Sequence, residues 1–260
     1  MKSLTAFLLA LLLAGCAQQA ATPAPDPANA PGADQRARIY TELGAGYYSR
    51  GQYAVALDDL RKAISFDAAY APAYNVLGLV HAELREDAQA EQNFRRSLDL
   101  SPNYSEANNN YGLFLCQRKR QKEGLHLFES ALTNPLYPTP DKALANAGAC
   151  SLMMEDIAAA ETYFTRSLKR QPRQPLALLG MAEIRFRQSH LLAARSLLRF
   201  LADVSELSPQ ALWLSLRVER GLGDKDGEAS AAAQLRRRYP ESAQTHWLTS
   251  GQFDQNGSLI

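Results

Sequence analysis

Charge of one sign is missing from this chain. Its 260 residues carry 28 Lys and Arg against 27 Asp and Glu, a formal net charge of +1. That balance argues against a nucleic-acid binder, which must neutralise phosphates. Cysteine is scarce as well. There are three, with no C-x-x-C spacing, which excludes a zinc ribbon and a disulfide-dense miniprotein. Glycine (15) and proline (13) are too few for a collagen-like or low-complexity chain. No apolar run approaches the roughly 20 residues that span a bilayer as a helix. What is present is 46% hydrophobic, 21% charged and 8% aromatic residues. Such a chain can bury a core and is not wholly disordered.

The first residues read as a targeting segment. Lys2 precedes the apolar run Ala6 to Leu13, which fits a secretory signal. The run ends in Leu13-Ala14-Gly15-Cys16, which resembles the bacterial lipobox. The resemblance implies removal of residues 1–15 and lipidation of Cys16, with three acyl chains in all. Three chains exceed the two-signal threshold for stable anchoring. Residue 18 is Gln, and without the Asp that resembles an inner-membrane retention signal the expected site is the outer membrane, periplasmic face. Four prolines (Pro23, Pro25, Pro27, Pro31) among Ala, Gln and Asn then make an extended tether, placed over residues 16–36.

The remainder is periodic. Tyr40-x-x-Leu43-Gly44-x-x-Tyr47 returns 34 residues later as Tyr74-x-x-Leu77-Gly78-x-x-His81, and 34 further on as Asn108-x-x-Tyr111-Gly112-x-x-Leu115. After a two-residue insertion come Leu144-x-x-Ala147-Gly148-x-x-Ser151 and Leu178-x-x-Met181-Ala182-x-x-Arg185, with a weaker last copy at Leu212 and Leu216. A period of 34 resembles the tetratricopeptide repeat. Six units are expected at 37–70, 71–104, 105–138, 141–174, 175–208 and 209–242, each a pair of antiparallel helices, with residues 243–260 as a cap and tail. The fold class is therefore all-α, a tetratricopeptide-repeat superhelix. Small residues at repeat positions 8 and 20 let paired helices approach. A large residue at 24 (Leu60, Phe94, Phe128, Phe164, Leu198) fills the space between hairpins, and proline at 32 (Pro102, Pro172, Pro240) stops the second helix. One unit cannot bury its own apolar face, so stacked neighbours make the core. Tyr40, Leu43, Tyr47 and Leu60 are expected inside the first unit.

No catalytic constellation appears. His81, His126, His190 and His246 occupy unrelated repeat positions, with no i, i+4 pair and no cysteine at ligand spacing. There is no nucleophile elbow, phosphate loop or dinucleotide fingerprint. The expectation is a protein that is not an enzyme and uses no cofactor, metal, nucleic acid or small-molecule substrate. The run Arg236-Arg237-Arg238 reads as charge complementing a helix C-terminus. Cys116 and Cys150 lie at positions 12 and 10 of the first helices of units three and four, which are neighbours in the stack. In an oxidising compartment they can form a disulfide; a Cα separation above about 7 Å would leave two separate thiols.

The concave face of such a solenoid is lined by positions 2, 5, 9, 12 and 13 of the first helices. The candidate partner groove is thus Thr41, Tyr48, Asn75, Leu79, Asn109 and Leu113, a mixture of amide, hydroxyl and apolar groups suited to an extended or helical peptide.

A narrower resemblance sits in the middle of the chain. Asn109-Asn110-Tyr111-Gly112-Leu113-Phe114-Leu115-Cys116 is followed by Asn134-Pro135-Leu136-Tyr137-Pro138-Thr139-Pro140 and by Asn146-Ala147-Gly148-Ala149-Cys150. These stretches, with the lipobox and six repeats, resemble the type IV pilus biogenesis lipoproteins called PilF or PilW. The resemblance implies a pilotin, which brings secretin subunits to the outer membrane and promotes their assembly into the pilus pore. It implies a secretin as partner, with other pilus proteins as further ones, and it places secretin contact on the N-terminal repeats. It also supports a Cys116–Cys150 disulfide. The alternatives are an adaptor regulating periplasmic peptidoglycan enzymes and a component of outer-membrane protein assembly.

Overall fold

Thirteen helices and no strand are found among the residues that the structure, a computed structural model, describes: 32–255 and 259. The signal segment, Cys16 and most of the tether lie outside those residues. The helices pair in chain order. They are α1 (Ala33–Ser49) with α2 (Tyr53–Phe66), α3 (Ala71–Glu83) with α4 (Asp87–Leu100), and α5 (Ser105–Gln117) with α6 (Gln121–Leu132). Then come α7 (Pro140–Met153) with α8 (Ile157–Arg170), α9 (Pro175–Arg187) with α10 (Leu191–Val204), and α11 (Pro209–Leu222) with α12 (Lys225–Arg238). A last short helix, α13 (Ala243–Ser250), follows. The tether expected through residue 36 ends earlier, because 33–36 form the first turn of α1. Asp34 in that turn complements the positive end of the helix.

Local chemistry explains the boundaries. Proline opens α7, α9 and α11, where the missing N–H costs no hydrogen bond. Asp156 caps α8 by accepting from the Ala159 N–H at 3.0 Å, and Ser208 caps α11 by accepting from Ala211. Every hairpin turns through one residue at positive φ, always repeat position 15. These are Gly51 (72°), Arg85 (62°), Lys119 (63°), Glu155 (59°), Ser189 (61°) and Gly223 (75°). Gly223 therefore fixes the register of unit six, although that unit carries Leu216 and Glu228 where the other units have Gly or Ala.

Successive first helices (α1, α3, α5, α7, α9, α11) touch one another, whereas successive second helices do not. The array therefore curves with the first helices on its inner, concave side. The core runs between the layers. Phe94, Phe128 and Phe164 at position 24 are fully buried. Each second-layer ring meets a first helix at a position with no side chain: a Cβ on Gly78 would stand 2.6 Å from Phe94, and one on Gly148 2.6 Å from Phe164. Ser97 and Ser167, both at repeat position 27, donate across their hairpins to the carbonyls of Ala71 and Asp141, each at 2.8 Å.

Leu43 departs from the expected core and is 45% exposed. It occupies position 7, whose counterparts Leu77, Tyr111, Ala147 and Met181 are buried; Tyr111, for instance, stacks on Phe94 of the preceding unit. Unit one has no preceding unit among the described residues, so Leu43 has nothing to pack on. Ile39 at position 3, 38% exposed where every later unit has a buried alanine, is uncovered for the same reason.

Charged groups join neighbouring units on the outer side. Glu91 in α4 accepts from Arg120 at 2.8 Å, Tyr111 at 2.8 Å and Arg95 at 2.7 Å. Burial alone would raise the Glu91 carboxyl, but these three donors outweigh it and hold its pKa at about 2. Arg118, just past the end of α5, likewise reaches Asp87 in α4 at 2.7 Å.

Candidate functional site

The concave face is built by first helices only, and its floor in units two to four is a row of asparagines. Asn110 Nδ2 donates to Asn75 Oδ1 at 3.1 Å, Asn109 Nδ2 to Asn110 Oδ1 at 3.3 Å, and Asn146 Nδ2 to Asn109 Oδ1 at 3.0 Å. The row thus ties α3, α5 and α7 together. Asn75 and Asn109 are buried, at 4% and 8% exposure. They hold the groove's shape rather than present free amides. Their half-exposed partners Asn110 and Asn146, at position 6, are the members facing the groove. Sequence reasoning missed both because it took position 5 as the lining one. The N-N doublet and the Asn of N-x-G-x-C carry the signal that finds them.

Thr41 is also buried, and its hydroxyl donates to Ala37 O at 2.8 Å in its own helix. It is spent there and offers a partner little. Tyr48, Leu79 and Leu113 are half-buried and accessible from the groove. Burial first, and the Glu83 carboxylate second, raise the Tyr48 phenol. Its ring lies 6.2 Å from that of Tyr53.

A second row, also missed from sequence, is made of tyrosines at the mouths of the unit-to-unit turns: Tyr70, Tyr104 and Tyr137. Tyr104 is pushed up to about 12, mainly by burial and then by Glu106, while a hydrogen bond to Asn75 opposes the shift. The phenols of Tyr70 and Tyr137 add to its rise. Tyr137, 5% exposed, comes from the proline-rich turn that contains the two-residue insertion. That turn therefore extends the row past unit three instead of interrupting it. Tyrosine and asparagine together offer donors, acceptors and apolar faces, the equipment for an extended peptide rather than for bond-making.

The two cysteines of the central motifs are joined. Cys116 and Cys150 form a disulfide with Cα atoms 5.8 Å apart, linking α5 to α7. Both are fully buried, with Phe128 and Ala147 around them. Beneath the bond sits Gly124, whose missing side chain makes room: a Cβ there would be 2.5 Å from Cys116 Sγ. Cys16 lies outside the described residues. Among the described residues no group of three or more His, Cys, Asp and Glu could hold a metal, and no helix is long and apolar enough to cross a membrane.

Tetratricopeptide-repeat family models match residues 44–84, 71–104 and 152–198. The type IV pilus assembly protein PilF of Pseudomonas aeruginosa is 32% identical over 237 residues, covering 91% of this chain and 93% of the relative. A solved structure described as a functional characterisation of Pseudomonas aeruginosa PilF superposes with a TM-score of 0.73 at 30% identity, covering 84% of this chain and 99% of that one. The crystal structure of PilW, described as a widely conserved type IV pilus biogenesis factor, superposes at 0.72 and 30% identity, covering 83% and 99%.

Proposed function

The chain belongs to the PilF/PilW family of tetratricopeptide-repeat proteins of type IV pilus biogenesis, and from that premise we propose that it is a pilotin for the pilus secretin. On this reading the groove of units one to four binds a secretin segment, and a lipid on Cys16 carries the pair to the outer membrane. The observation that supports it is the open concave face, where half-buried Tyr48, Leu79 and Leu113 alternate with the accessible amides of Asn110 and Asn146. A peptide laid there can bury apolar side chains and still satisfy its backbone.

The parts divide the work. Three acyl chains would make anchoring stable. The Pro/Ala-rich tether of about 17 residues, at roughly 3.1 Å per residue when extended, would let α1 stand up to about 50 Å from the anchor. Confining bound secretin to a membrane surface raises its local concentration, which favours multimer over monomer. No bond is made or broken at any step, in keeping with relatives that are assembly factors.

The test is a deletion strain complemented with wild type, Cys16→Ala, or the groove pair Leu79→Asp/Leu113→Asp. Deletion is expected to abolish the multimeric secretin while monomer persists. Cys16→Ala is expected to move both proteins out of the outer-membrane fraction, and the groove pair to lose secretin in a pull-down while remaining helical. An unchanged multimer level in the deletion strain would overturn the reading, and capture of a murein hydrolase instead would favour a peptidoglycan adaptor.

A further inference from the structure

The concave face changes character between its two halves. In units one to four it is open. In units five and six Phe253, Gln255 and Leu259 of the same chain lie on it. Leu259 packs on the apolar cluster that holds Leu179 and Leu214, and shares one small cavity with Glu183, Trp213 and Arg217. Leu179 and Trp213 occupy repeat position 5, and Glu183 and Arg217 position 9. These are the positions that Asn75, Leu79, Asn109 and Leu113 hold in units two and three. Phe253, Gln255 and Leu259 thus rest on the same groove, three units further along.

The contacts are those a groove makes with a peptide. Trp213 Nε1–H donates to the main-chain carbonyl of Gln255 at 2.9 Å. Phe253 stacks on the Trp213 indole at 5.9 Å with the planes 10° apart. The Arg220 guanidinium covers the other part of Phe253 at 3.7 Å. Leu259 then fills the apolar seat, and only about 10 Å³ of space is left among its neighbours. Main-chain recognition by one fixed donor, with two apolar anchors, is the arrangement of a bound ligand segment.

We propose that the concave face of units five and six is a second peptide-binding subsite, for an extended segment with an aromatic and an aliphatic anchor, and that Phe253, Gln255 and Leu259 of this chain are its resident occupants. A partner entering the groove from units one to four then meets this segment at unit five and must either stop or displace it. The subsite extends the groove reading, but occupancy by the chain's own segment stands without a secretin.

The probe is a synthetic peptide of residues 252–260 with an N-terminal fluorophore. It is titrated by anisotropy into the full chain, into a chain ending at Gly251, and into full-length Leu259→Asp. A tethered occupant competes at an effective concentration of about 1 mM, so a peptide with a Kd of about 0.1 mM should bind the full chain roughly tenfold more weakly than the shortened one. Leu259→Asp keeps Phe253 and the fold, and should recover part of that tenfold. Equal binding to all three proteins, or no binding to either altered chain while both remain helical by circular dichroism, would overturn the proposal. Since no secretin is present, failure here leaves the pilotin reading standing, and failure of that reading leaves this one standing.

Discussion

Ile39 and Leu43 at one end of the solenoid are 38% and 45% exposed, while Trp213 at the other end is 2% exposed. The two ends face the same problem, because in a stack each unit relies on its neighbours for burial and an end unit has only one. Unit six solves it with added chain. Trp247 of α13 approaches Trp213 at 5.8 Å, Phe253 stacks on it, and Leu248 packs on the same cluster with Leu216 and Leu235. Leu216 at position 8, an anomaly by the repeat pattern, belongs to this arrangement. Unit one has no such cover among the described residues. The array should therefore fray from unit one, with the Cys116–Cys150 link between units three and four as the point where fraying meets a covalent stop.

The strongest way to break this asymmetry is to open the closed end. Trp213→Ala removes a buried ring and its hydrogen bond to Gln255, and is expected to cost about 3–5 kcal/mol. Leu43→Ala, at the end already open, is expected to cost under about 0.5 kcal/mol. Urea unfolding of the two variants checks the pair. Comparable losses would mean that unit one is covered by something after all.

Next in size is the stop in the middle. Gly124→Ala places a Cβ 2.5 Å from Cys116 Sγ and 2.6 Å from the Gly112 carbonyl oxygen. Overpacking of that kind costs about 1–3 kcal/mol. With Cys116 and Cys150 both replaced by Ala, one of the two clashes is gone, and the same substitution should cost measurably less. A double-mutant cycle on midpoint urea concentrations reads the difference. Equal costs in both backgrounds would show that the glycine serves the helix approach alone and not the disulfide.

How far the sequence carried these conclusions varies with the physics involved. The 34-residue spacing depends on helix pairing that each unit repeats, so α1 to α10 were legible from small residues at 8 and 20 and large ones at 24, while α11 and α12 rested on the weaker copy at Leu212 and Leu216. Leu43 was misplaced because a repeat pattern predicts what a position packs on only if the neighbouring unit exists. Thr41, Asn75 and Asn109 were located on the inner helices, but their burial depends on which side chains bond to which, and one-residue shifts separate Asn109 from Asn110. Gly124 looked interchangeable with the alanines at position 20; the Cys116 sulfur and the Gly112 carbonyl that crowd it become visible only in the structure. The tyrosine row was invisible because its members come from turns, which the helical period does not index.

The smallest expected effect bears most directly on where fraying begins. Position 15 adopts positive φ in all six units, yet only Gly51 and Gly223 are glycine. Arg85 in unit two and Ser189 in unit five hold the left-handed conformation with a Cβ, at a cost of about 1–2 kcal/mol each. Changing either to glycine removes that strain and returns about 0.5–1 kcal/mol through the freer unfolded chain. Both Arg85→Gly and Ser189→Gly should therefore raise global stability by about 0.5–1 kcal/mol. They should differ in where the gain appears. If unit one and unit two open before the rest, Arg85→Gly must slow amide exchange in α1 to α4 by up to about fivefold, whereas Ser189→Gly lies beyond the disulfide and should leave those amides unchanged. Equal slowing by both would mean that the array opens only as a whole, and the difference between its ends would then be one of exposure without a difference in stability.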